Sequence, residues 1–131
     1  MFSKAAMVSR YLLGLMFTIF GANGVMMVFT GHGFIPMPPQ PAQMVTIMTG
    51  FMATGYIMQA AMLCELIAGI LLLSGMYVNA AIILLGPVIV NILGIHFFAE
   101  PSGIPMALLT AVLYVILVAS RWSDLKVLVK K

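Results

Sequence analysis

Charge is the scarcest ingredient of this chain. Only 7% of its 131 residues are Asp, Glu, Lys or Arg, where a soluble domain carries about a quarter. That excludes a polar shell. With 63% hydrophobic residues and a mean hydropathy of +1.18, the solvent that suits the sequence is lipid. Cysteine is nearly absent as well. The single Cys64 excludes an intramolecular disulfide and any CxxC redox or metal motif. Walker, GxGxxG, HExxH and GxSxG signatures are all missing, so no catalytic residue is assigned. No internal repeat is visible. The net charge of +3 does not indicate nucleic acid, because the basic residues lie only at the two ends.

What is present is a set of long apolar runs, expected at about 8–30, 51–74, 79–98 and 104–120. Each has about 17–24 residues, close to the roughly 20 that cross a bilayer as a helix. Lipid offers the backbone no hydrogen-bond partners, so the spans must be helical. The expected fold is therefore all-α, one integral membrane domain built as a four-helix bundle. The apolar stretch after Lys4 and Arg10 is long enough to span and is read as a retained helix, not a signal peptide.

Between the first two runs, Pro36, Pro38, Pro39 and Pro41 cannot continue a helix. A Pro-rich outer loop is expected here, followed by a short interfacial helix from Pro41 to about Gly50. Further turns are expected at Gly75–Val78 and Glu100–Gly103. All six Lys and Arg residues (Lys4, Arg10, Arg121, Lys126, Lys130, Lys131) flank the spans at the termini. The positive-inside rule then places both termini in the cytoplasm and the Pro-rich loop outside, in a bacterial inner membrane.

Polar side chains inside the spans carry the functional argument, because each is costly in lipid. Glu65 sits about 14 Å above the expected cytoplasmic end of its span, at 1.5 Å per residue. Its face reads Ala61, Glu65, Ala68, Leu72, Gly75, small enough to pack on a neighbour. Asn91 reaches a similar depth on a face with Ala80, Leu84, Pro87 and Gly94. A short turn makes these two helices neighbours, so Glu65 and Asn91 are expected to face each other. Pro87 frees the Ile83 carbonyl and marks a kink site. Asn23 lies at a depth like that of Glu65. His96, Gln59 and His32 lie further out, which suggests a cavity opening outward. Glu65, Asn91, His96 and Asn23 are the candidate ligand-binding residues. As the bland alternative, Glu65, Asn91 and Asn23 hydrogen-bond across helices as assembly glue, and His32 is a loop residue. Cys64 reads as a small core residue. Two histidines near one face are compatible with haem, but nothing else supports it. The thirteen methionines form no spaced ligand set and read as apolar filler, so no metal site is expected.

Arg10-Tyr11-Leu12-Leu13-Gly14-Leu15-Met16-Phe17 with Gly21, Phe34-Ile35-Pro36, Glu65 with Gly69, Leu71–Leu73 and Gly75, and Pro87, Asn91 and His96 together resemble the DoxX family. The resemblance covers nearly the whole chain, and no single motif in it is sharp. It implies a small four-helix bacterial membrane protein. The family takes its name from a subunit of a thiosulfate:quinone oxidoreductase, and some members are linked to membrane thiol and oxidative-stress systems. One departure stands out. Many members carry a basic residue soon after the first-span glycine, where this chain has Ala22-Asn23-Gly24-Val25.

Two functions are expected to compete. In the first, a redox-linked membrane subunit binds a quinone or lipid-like molecule. Glu65 and Asn91 hold its head, and His96 relays protons outward. The chain supplies no redox centre, so any electron transfer needs a bound cofactor or a partner redox protein. In the second, a non-catalytic module binds or assembles a partner protein, or a second copy of itself. A transporter ranks third, because four short helices in one chain leave little room for a pathway.

Overall fold

The computed structural model describes residues 3–130. Among these there is no strand. The chain runs through helices α1 (Lys4–Thr30), α2 (Ala42–Ala53), α3 (Ile57–Ser74), α4 (Val78–Phe98), α5 (Ile104–Ser120) and α6 (Trp122–Leu125). Short 3-10 turns cover Pro101–Gly103 and Lys126–Val129. Helices α1, α3 and α4, together with the stretch Pro101–Ser120, are long and apolar enough to cross a membrane.

Helix α1 packs on α3 and α5, and α4 packs on the same two helices, so the contacts close into a ring. Leu13, Leu72, Leu85 and Leu117 fill its middle and are wholly buried. On the outside, residues such as Phe20, Ile70, Val90 and Val115 are exposed, which suits helices solvated by lipid tails. The start of α1 and the end of α5 lie at one end of this ring, called the terminal end below. The α1–α2 connection and the Pro101–Gly103 turn lie at the opposite, loop end.

The α1/α3 seam is the closest. A Cβ on Gly21 would sit 2.6 Å from the Leu66 amide nitrogen, and one on Gly69 would run into the main chain and hydroxyl of Thr18. Only glycine allows the two backbones to approach so nearly. The seam ends in an unusual cap. Arg10 is buried, and its Nη1 donates to the Leu72 carbonyl at 2.6 Å. Its guanidinium lies 4.3 Å from the Tyr11 ring centre. A cation against the last carbonyls of α3 opposes the negative end of the helix dipole.

Three boundaries differ from the sequence expectation. The apolar run beginning at Phe51 is not one helix. It breaks at Thr54–Tyr56, where Gly55 takes φ +78°. The Thr54 hydroxyl accepts from the Ile57 amide at 3.1 Å and restarts the helix. The span therefore begins at Ile57, and α2 extends to Ala53. Helix α1 begins earlier than expected, at Lys4, because Ser3 caps it by accepting from the Ala6 amide. At Pro87 no helix end occurs, and α4 continues through it.

Candidate functional site

Glu65 faces the interior. It is 9% exposed and lies in line with buried Ala68 and Leu72, as the small-residue spacing indicated. Its carboxyl makes no hydrogen bond or ion pair with any described residue. Next to it, the Gly21 position abuts the Glu65–Leu66 backbone. Two further polar atoms in this part of α1 and α3 are buried without partners: Thr18 Oγ1 and Gln59 Oε1.

Asn91 does not join it. The residue is exposed on α4 and makes no hydrogen bond with any described residue. The reason is helical phase. The buried residues of α4 are Val78, Ala81, Ile82, Leu85 and Ile89. At about 100° per residue, Asn91 is turned roughly 200° from Ile89 and points away from that stripe. The interior polar residue at the depth of Glu65 is instead Thr110 on α5, which is 3% exposed. It lies ten residues before Ser120, about 15 Å from the terminal end at helical rise. Its hydroxyl donates to the Met106 carbonyl at 2.8 Å, and the oxygen keeps acceptor capacity. Nothing in the sequence pattern singled out Thr110, since threonine bonded to its own helix is common in apolar segments.

Asn23 is buried, and its job is local. The Oδ1 atom accepts from the Ile35 amide at 2.8 Å. Gly33 lies so close that a Cβ there would overlap the Asn23 amide. The chain between α1 and α2 is thus tied back onto α1. On the far side, Gln43 of α2 donates to the Phe98 carbonyl at 3.2 Å. Together these two contacts fasten the α1–α3 connection across the loop end, from α1 to α4.

His96 is half-buried and paired. Its Nδ1 lies 2.9 Å from Glu100 Oε2. The Glu100 carboxylate also accepts from the Ser102 hydroxyl. That bond, and then the neighbouring imidazole, hold the carboxyl below its ordinary range against the opposing effect of burial. Gly103 is needed here, because a side chain at that position would collide with the His96 ring. In the sequence Glu100 reads only as part of a turn; its i,i+4 spacing from His96 is the available signal. His32 is exposed, with Nδ1 3.1 Å from the Thr30 carbonyl. Cys64 is half-buried and free.

Comparison with protein-family models, with curated proteins and with solved structures finds no match to this chain.

Proposed function

We propose that this chain is a DoxX-like four-helix bundle of a bacterial inner membrane, with cytoplasmic termini and a Pro-rich outer loop. In this reading it serves as a redox-linked subunit that receives the carbonyl head of a quinone or similar lipid at Glu65. The observation that carries the reading is a carboxyl buried within the span and without a partner. Such a group is costly in lipid, and where one occurs it is characteristically a binding or proton-handling residue. A protonated carboxyl donates one hydrogen bond, which a quinone carbonyl accepts. Thr18 and Gln59 hold further buried polar atoms without partners, and Thr110 adds a buried hydroxyl on α5. The His96–Glu100 pair at the loop end offers a proton acceptor between Glu65 and the outside. Electrons come from a partner redox protein.

The test is thermal unfolding in detergent, with and without a short-chain quinone, for wild type, Glu65→Gln and Glu65→Leu. A ligand that binds only the folded state at 100 times its Kd adds about 2.7 kcal/mol, which reads as a rise of several degrees. The rise should appear in wild type, shrink in Glu65→Gln and vanish in Glu65→Leu. No rise in any of the three overturns the reading.

The second reading, a module that assembles with a partner or with another copy, is favoured by Asn91. An exposed amide flanked by Val90 and, a turn or two on, Phe97 and Phe98 gives α4 a lipid-facing donor and acceptor that a second helix can satisfy. Cross-linking in native membranes decides it: Asn91→Leu should abolish a cross-linked species seen in wild type.

A further inference from the structure

At the terminal end, a cavity of about 320 Å³ opens between the α3–α4 turn and the start of α6, lined by Gly75, Tyr77, Val78, Asn79, Ala80 and Arg121. Its polar groups have two signs once Asp124 is counted, which is not part of the lining but contacts two residues of it, Asn79 and Arg121. Arg121 brings a guanidinium, held 3.4 Å from Asp124 Oδ2. The first turn of α4 adds backbone amides, which no side chain caps and which every helix start leaves unbonded. Opposed to these donors are acceptors. Asn79 Oδ1 is buried without a partner, while its Nδ2 donates to Asp124 Oδ2 at 3.2 Å. Asp124 is fully ionised at neutral pH, held below its ordinary range chiefly by that amide bond and then by Arg121.

The surroundings identify the layer. Tyr77 of the lining and Trp122, the residue after Arg121, are exposed, as amphipathic rings are at the boundary between headgroups and tails. Lys126 and Lys130 follow in the sequence. A purely anionic ligand would leave Asn79 Oδ1 unpaired and would face the Asp124 carboxylate. A ligand carrying both a phosphate and a primary ammonium matches both sets.

We propose that this cavity is a binding site for the headgroup of an amine-bearing phospholipid, of the phosphatidylethanolamine class. The phosphate is received by Arg121 and the opening amides of α4, and the ammonium by Asn79 Oδ1 and Asp124. A volume of 320 Å³ is at the small end of ligand pockets and suits a headgroup whose acyl chains remain in the bilayer. The site is independent of Glu65.

The experiment is native mass spectrometry of the full chain in detergent. The protein is offered an equimolar mixture of phosphatidylethanolamine, phosphatidylglycerol and phosphatidylcholine, and in a separate arm soluble phosphoethanolamine. Wild type should retain phosphatidylethanolamine at least five-fold over the other two lipids, and soluble phosphoethanolamine only weakly. Asn79→Leu should remove the preference over phosphatidylcholine while lipid is still retained. Arg121→Gln should lower retention of all three. Circular dichroism of each variant reports its fold, and the wild-type competition stands whether or not a variant folds. Equal retention of the three lipids, a preference for phosphatidylglycerol, or soluble phosphoethanolamine binding as well as the lipid would each overturn the proposal.

Discussion

The α1/α3 and α4/α5 seams are both helix contacts between apolar spans, yet they are built differently. Along α1/α3 the neighbours of Gly21 and Gly69 are main-chain atoms. Along α4/α5 the neighbour of Gly86 is the end of a side chain, the Tyr114 hydroxyl, 3.1 Å from where a Cβ would stand. That hydroxyl donates to the Ile82 carbonyl at 2.8 Å. One seam depends on the absence of atoms, the other on their presence. A filled seam can yield when a side chain shrinks or turns. A backbone seam has nothing to turn, so additions to it should be the most damaging changes in the molecule.

The largest expected effect follows directly. Gly69→Leu forces α1 and α3 apart and should cost about 3 kcal/mol, the upper end of ordinary overpacking, read as a fall in thermal stability in detergent. Leu85→Ala, in the filled interior, leaves a cavity and should cost about 2 kcal/mol. If the leucine change proves the more damaging, the distinction between the seams fails. The two halves of the loop end sharpen the comparison further. Beside the glycine seam the connection is held by a neutral amide; beside the filled seam the turn is held by ionisable groups. Asn23→Leu should cost about 1 kcal/mol for the lost hydrogen bond and speed protease cutting within 31–41. Its effect should not vary with pH.

The Glu100 contact should vary. A carboxyl held below its ordinary range stabilises the fold at pH values above that range, and the contribution fades as pH falls through the lowered value. Loop-end stability should therefore drop below about pH 4.5, the ordinary value from which Glu100 is lowered. Hydrogen exchange of the 99–103 amides measures it, and Glu100→Gln should flatten the pH profile. This is the smallest effect of the four. An unchanged profile in the variant would assign the pH sensitivity elsewhere.

The sequence was most legible where length and breakers decide the outcome. Spans near Val78–Phe98 and Ile104–Ser120 fall within a residue of expectation. The interior position of Glu65 was legible because Ala68 and Leu72 follow it at helical spacing. Asn91 was not, and the cause is the solvent. In water a helix shows its buried face by polarity. In lipid both faces are apolar, so the row Ala80, Pro87, Gly94 passes for a packing face although it is turned outward. The break at Gly55 was hidden for a similar reason, since the residues on either side of it are apolar too. Arg10 was read as an orientation signal only. Its second task, binding the Leu72 carbonyl, depends on a residue sixty-two positions away in the chain.

That separation has a consequence for biogenesis. Helix α1 reaches the membrane first, and the carbonyl that receives Arg10 is not yet made. Until α3 is inserted, the guanidinium has no protein acceptor and must stay among headgroups, with its stem reaching back along the helix. Docking of α3 supplies that acceptor, the Leu72 carbonyl. The glycine seam closes in the same event, so arrival of α3 commits α1 to its place.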